Sequence, residues 1–157
     1  PKFSGLNLSW EVREGLAKHH TAYDHPGRRK GFAAKNSSLE AQIANLADEI
    51  TYYSHDLDDG LDSELLSEKE LAANVRIWAH AAKLVKKEYG NLSDESRRYF
   101  IIRTIIDMQI HDVVENSERL IQKAGVKSAD DVRLFPKALV EHTPERRKLN
   151  LELRHYL

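Results

Sequence analysis

The residues best suited to chemistry lie between Ser38 and Leu61, in the segment SLEAQIANLADEITYYSHDLDDGL. In a helix that turns 100° per residue, five of its polar side chains share an arc of about 100°. These side chains are Asp48, Tyr52, His55, Asp56 and Asp59. Carboxylates bind hard divalent cations, and an imidazole adds a nitrogen ligand for transition metals. The same pattern is typical of the solvated face of an amphipathic helix, which periodicity alone favours.

The charge around this face is unbalanced. From residue 36 to residue 68 there are nine Asp or Glu residues and no Lys or Arg. A solvated helix face usually mixes charges, because oppositely charged residues three or four apart stabilise it. An all-acidic helix therefore indicates that a cation or a basic partner surface offsets the repulsion.

The elements that must position this face are helical. Capping residues and apolar periodicity predict an all-α fold, and no alternating strand pattern occurs. The predicted helices run from Ser9 to about His19, from Ser37 or Ser38 to near Gly60, from Ser67 to Tyr89, from Ser93 to Lys123, over 128–134 and from Thr143 to the end. The centre of the fourth, 99–114, is apolar on more than one face and is predicted to be buried.

Composition bounds the function classes. The chain has 157 residues, 41% hydrophobic and 31% charged, which suits one soluble domain. A net charge of -1 does not favour nucleic-acid binding, and no apolar run is long enough for a membrane helix. The absence of Cys excludes disulfides and thiolate sites and fits a cytoplasmic location.

Three segments carry a resemblance to a known family. The run LADEITYYSHDLDDGL resembles the pattern D-[DE]-I-x-Y-x-x-x-D-x-x-D-[AG] of the deoxyguanosine triphosphate triphosphohydrolase-like family in the HD superfamily. The matching residues are Asp48, Glu49, Ile50, Tyr52, Asp56, Asp59 and Gly60. The segment 5–20 resembles the part of that family before this helix, and 97–121 resembles the long helix after it. By resemblance, residues 1–61 are the end of the HD catalytic core and 62–157 the helical region that follows.

The resemblance implies a metal-dependent hydrolase that releases a deoxynucleoside and triphosphate from a deoxynucleoside triphosphate. It implies that Asp48 binds a divalent metal such as Mg²⁺, Mn²⁺ or another transition metal. Tyr52 would pack on the deoxyribose and Asp56 would hydrogen-bond the sugar 3′-hydroxyl. Lys18 resembles a basic position near the phosphates, although a solvated Lys at a helix end is an equal alternative. The resemblance further implies a homo-oligomer.

The other metal ligands of the family are a His and a His-Asp pair upstream of the segment that 5–20 resembles. His55-Asp56 and His111-Asp112 lack that context, and His111 is predicted to be a hydrogen-bonded core or boundary residue. His19, His20 and His25 adjoin a loop and are interpreted as exposed rather than as ligands. Because the chain starts at Pro1 without an initiating Met, we expect it to be the carboxyl-terminal part of a longer protein and inactive alone.

Two alternatives stay open. The first keeps the superfamily but changes the substrate to another nucleotide, such as a nucleoside monophosphate or a cyclic nucleotide. The second is a non-catalytic helical interaction module whose acidic helix docks on a basic partner. The base preference, the native metal and any activating nucleotide do not follow from the sequence.

Overall fold

A computed structural model describes residues 5–19 and 31–157 of the chain. These residues form seven helices and no strand, which confirms the all-α prediction. The helices are α1 (Trp10–Lys18), α2 (Leu39–Asp62), α3 (Glu68–Asn74), α4 (Arg76–Tyr89), α5 (Asp94–Ala124), α6 (Ala129–Leu134) and α7 (Pro144–Tyr156). Over the same residues, none of the helices has the length and apolar character needed to cross a membrane.

Hydroxyl caps explain where several helices begin. At six helix starts a Ser or Thr oxygen accepts a hydrogen bond from a backbone amide three residues further on. These caps are Ser9 for α1, Ser38 for α2, Ser67 for α3, Ser93 for α5, Ser128 for α6 and Thr143 for α7. Such a cap satisfies an otherwise unpaired amide and stabilises a helix by about 1 kcal/mol. The predicted starts at these residues are confirmed.

The predicted third helix is wrong in one respect, because the chain breaks it into α3 and α4 at Val75. Val75 has extended backbone angles (φ −120°, ψ 103°) and a buried side chain. The amide of Arg76, which starts α4, donates to the carboxylate of Glu152 at 2.6 Å. A partner 76 positions away thus satisfies the new helix start, and the local sequence gives no sign of it.

Two compact units make up the chain, and long helices α2 and α5 contribute to both. The first unit comprises 1–48 and 117–141, and its described part contains α1 and α6. Polar side chains organise it. The buried Gln42 accepts hydrogen bonds from the amides of Leu139 and Val140 and donates to the carbonyl of Ser37. A buried amide with these partners fixes the chain path after α6.

The second unit comprises 49–116 and 142–157 and holds the hydrophobic core. Its members are Tyr53, Leu57, Leu61, Leu71, Val75, Ile77, Trp78, Ala81, Val85, Ile101, Ile102, Ile105 and Leu153. A large apolar side chain that is removed from water contributes roughly 1.5–3 kcal/mol. Burial of Tyr53 and Leu57 turns the opposite face of α2 outward. The division that the resemblance implies, with the HD catalytic core ending at residue 61 and the helical region starting at residue 62, stays a prediction.

The predicted burial of the centre of α5 holds for one face only. Ile101, Ile102, Ile105 and Gln109 are buried, whereas Tyr99, Ile110 and Val114 are exposed. Apolar residues are common at protein surfaces, so an apolar sequence does not by itself bury every face.

Candidate functional site

The predicted site residues Asp48, Tyr52 and Asp56 lie at successive turns of α2. The side chain of Asp48 is 61% exposed, Tyr52 is 45% exposed and Asp56 is half-buried. The next residue, Tyr53, is buried, and its hydroxyl donates to the carboxylate of Glu49 at 2.7 Å. The core thus fixes the rotation of the helix, and it leaves a carboxylate, a phenol and a second carboxylate accessible along one face.

A histidine that the sequence interpretation dismissed lies beside Asp48. Nε2 of His19 is 3.9 Å from Oδ2 of Asp48, and Nδ1 of the same ring is 2.6 Å from Oδ1 of Asn45. The interpretation of His19 as an exposed loop residue is therefore wrong, because two side chains of α2 surround its ring. Asn45 and Asp48 are three positions apart on one helix face, so the sequence already indicated that both could contact the same side chain. His20 and His25 lie outside the described residues.

Lys18 has structural partners. Its ammonium donates to the buried carboxylate of Glu14 at 2.7 Å and to the carbonyl of Asn36. The side chain is 14% exposed, so the alternative of a solvated Lys is wrong. Among residues 5–19 and 31–157, two acceptors engage the three ammonium hydrogens. The assignment of Lys18 to a phosphate stays a prediction.

The metal assignment of Asp48 rests on the chemistry of its neighbours. Among residues 5–19 and 31–157, no three His, Asp or Glu side chains are grouped so that they could hold one metal ion. An exposed carboxylate beside an imidazole nitrogen nevertheless fits part of a divalent metal site, since both atom types are common ligands. A complete site would need further ligands from outside these residues or from water.

The two His-Asp dipeptides have different environments. His55 is exposed, and His111 is exposed as well, so the prediction of a core or boundary position for His111 is wrong. Its neighbour Asp112 is the residue with partners. Its carboxylate accepts hydrogen bonds from the hydroxyl of Thr143 at 2.6 Å, from the Thr143 amide at 2.9 Å and from Nδ1 of His142 at 3.1 Å. Asp112 therefore anchors the start of α7 to α5.

This cluster perturbs both titrating groups. Burial raises the pKa of Asp112, but the hydrogen bonds from Thr143 and His142 outweigh burial and set that pKa below its ordinary value. Burial of His142 lowers its pKa, and the neighbouring Asp112 offsets only part of this effect. The carboxylate is consequently held charged and the imidazole is favoured in its neutral form.

Comparison with known proteins gives one consistent name. No family model matches the chain. It is 36% identical over 159 residues to a deoxyguanosinetriphosphate triphosphohydrolase-like protein of Geobacter sulfurreducens, an alignment that covers 100% of the chain and 41% of that protein. Proteins of the same name from Thiobacillus denitrificans and Bartonella henselae are 37% and 32% identical over 99% of the chain and 42% of their own length. The chain thus spans about two-fifths of the length of these curated relatives.

Proposed function

We propose that this chain is part of a deoxynucleoside triphosphate triphosphohydrolase. The proposal starts from its similarity to the deoxyguanosinetriphosphate triphosphohydrolase-like proteins. The observation that supports the proposal is the row of two exposed residues, Asp48 and Tyr52, and the half-buried Asp56 at successive turns of α2. The reaction would release a deoxynucleoside and inorganic triphosphate. The chain would supply one side of the site, and further metal ligands would come from elsewhere in the protein.

Each residue of the row has a separate role in this proposal. The carboxylate of Asp48 would hold a divalent metal, which when bound supplies a water of lowered pKa and offsets phosphate charge. Tyr52 would pack on the deoxyribose and leave little room for a 2′-hydroxyl. Asp56 would accept a hydrogen bond from the 3′-hydroxyl and so fix the sugar relative to the phosphates. The ammonium of Lys18, which already contacts Glu14 and Asn36, would also approach a phosphate oxygen.

Other expectations accompany this proposal. By resemblance, the protein would assemble as a homo-oligomer. The net charge of -1 does not favour a nucleic-acid partner, and the absence of Cys fits a location in the cytoplasm. Another nucleotide phosphohydrolase and an interaction module remain the competing functions. The first would release phosphate or pyrophosphate rather than triphosphate. The second would release nothing and would bind a basic partner through the acidic helix.

The test is an assay of triphosphate release from the four deoxynucleoside triphosphates with Mg²⁺ or Mn²⁺, in the full-length natural protein. Asp48→Asn is compared with Asp58→Asn, which changes an exposed Asp of the same helix. We expect Asp48→Asn to abolish release and Asp58→Asn to preserve it. Both changes should alter the free energy of unfolding by less than about 0.5 kcal/mol, because both side chains are exposed.

The outcomes separate the candidate functions. Metal-dependent triphosphate release that both variants retain would contradict the role of Asp48. Release of phosphate or pyrophosphate alone would favour the other phosphohydrolases. Folded protein with no release from any substrate would favour the interaction module, in which Asp48→Asn and Asp58→Asn weaken partner binding equally.

A further inference from the structure

The ring of His19 is oriented by Asn45. Nδ1 of His19 lies 2.6 Å from the amide oxygen of Asn45, and an amide oxygen only accepts hydrogen bonds. Nδ1 must therefore carry a proton, and in the neutral ring the lone pair is on Nε2. Histidines that bind metals in proteins commonly donate their other ring N–H to an oxygen in this way, which fixes the tautomer and the direction of the ligating nitrogen.

That nitrogen faces the carboxylate of Asp48. The separation of 3.9 Å between Nε2 and Oδ2 is too long for a hydrogen bond. Bonds from one ion to a His nitrogen and to a carboxylate oxygen are each about 2.0–2.2 Å long, so together they span up to about 4.3 Å. An ion between the two atoms therefore fits with little movement. Both side chains are partly exposed, at 34% and 61%, which leaves them free to adjust and open to water ligands.

We propose that Nε2 of His19 and Oδ2 of Asp48 bind the same divalent ion, with Asn45 as the positioning residue for the His19 ring. The inference rests on the proposed function only in taking Asp48 as a metal ligand. The family resemblance assigns His19 no role. An imidazole and a carboxylate together favour first-row transition ions such as Fe²⁺, Ni²⁺ or Zn²⁺ over Mg²⁺, which prefers oxygen ligands.

A direct ion pair is the competing explanation of the same geometry. In it, protonated His19 attracts Asp48 and no metal is involved. Such a pair between partly exposed groups contributes little stability and is weakened by salt. The two explanations differ in what happens when a metal is added, so metal binding decides between them without any measurement of turnover.

The first experiment is NMR of the tag-free chain with substoichiometric Mn²⁺. A paramagnetic ion broadens the ring signals of the histidines closest to it. We expect the His19 signals to broaden first, before those of the exposed His80 and His155. In Asp48→Asn the preferential broadening of His19 should vanish. Broadening of His80 or His155 before His19, or no preference among them, would overturn the inference.

The second experiment measures Ni²⁺ and Mg²⁺ affinity by calorimetry for the parent chain, His19→Gln, Asn45→Ala and the control His80→Gln, which changes an exposed histidine of α4. We expect His19→Gln to weaken Ni²⁺ binding by about tenfold or more and to leave Mg²⁺ binding within about twofold. Asn45→Ala keeps both ligands but frees the ring, and it should weaken Ni²⁺ binding by about tenfold. His80→Gln should change neither affinity.

The inference fails if His19→Gln binds Ni²⁺ as tightly as the parent chain, or if the parent chain binds no Ni²⁺. Circular dichroism of each variant shows whether the fold is kept. Because no nucleotide is used, this result is independent of the triphosphate assay. Metal binding through His19 without triphosphate release would support this inference and contradict the proposed function. Triphosphate release without metal binding through His19 would support the proposed function and contradict this inference.

Discussion

The carboxylate of Glu14 lies 2.8 Å from the guanidinium of Arg133, although 119 positions separate the two residues. Its other oxygen lies 2.7 Å from the ammonium of Lys18. Glu14 is fully buried, and both cations are largely shielded from water. A buried charge is tolerated only when partners compensate it. The stability of this cluster therefore depends on the carboxylate and its two cations being present together.

We therefore predict that Glu14→Gln lowers the free energy of unfolding by about 3 kcal/mol, because Lys18 loses its carboxylate partner and Arg133 is left with the exposed Asp130 as its counter-charge. The measurement is urea unfolding followed by circular dichroism. Glu115→Gln is the matched control, since Glu115 is exposed on α5, and it should change stability by less than about 0.5 kcal/mol. Equal effects of the two substitutions would show that the buried carboxylate contributes no net stability.

Local features of the sequence predicted much of the fold. The hydroxyl caps Ser9, Ser67 and Thr143 start helices where expected, because a cap and the amide it satisfies lie only three residues apart. The face of α2 with Asp48, Tyr52 and Asp56 was predictable for the same reason, since helical periodicity alone places these residues on it.

Features that depend on distant partners were not predictable. The break at Val75 depends on its burial and on the carboxylate of Glu152 at the start of α4. The position of His19 depends on how α1 meets Asn45, and the anchoring role of Asp112 depends on Thr143, which is 31 positions away. In each case the residue could pair with several other residues, and only the tertiary structure determines which of them it contacts.

The cluster of Asp112 and His142 predicts how stability depends on pH. The folded-state pKa of His142 is lowered by burial, so below about pH 6.5 the unfolded chain takes up a proton that the folded chain refuses. Stability should fall as the pH drops from about 6.5 toward the folded-state pKa. The pKa of Asp112 is also lowered, chiefly because hydrogen bonds from Thr143 and His142 outweigh its burial. Its contribution is complete above about pH 3.9 and is lost as the pH falls through its folded-state pKa.

Urea unfolding at several pH values between 7 and 4 measures the part of this dependence that comes from His142. We expect His142→Gln, which keeps a hydrogen-bonding side chain but cannot titrate, to flatten the loss below pH 6.5. The same substitution at the exposed His155 should leave the slope unchanged. An NMR titration adds a direct reading, and a His142 pKa at or above its ordinary value would contradict the prediction.

The assignment of Asp56 to the sugar 3′-hydroxyl can be tested by removing either partner of the proposed hydrogen bond. A hydrogen bond to a charged carboxylate contributes about 1.5–3 kcal/mol, so a substrate analogue without the 3′-hydroxyl should lose about 10- to 100-fold in kcat/KM. Asp56→Asn should lose a similar factor with the normal substrate.

If the two groups contact each other, removing both costs little more than removing one, because the same interaction is lost in each case. The variant should therefore hydrolyse the substrate and the analogue at nearly equal rates, whereas Asp58→Asn, the exposed neighbour on α2, should keep the full preference. Additive losses in Asp56→Asn would place the 3′-hydroxyl against a different residue, even with triphosphate release confirmed.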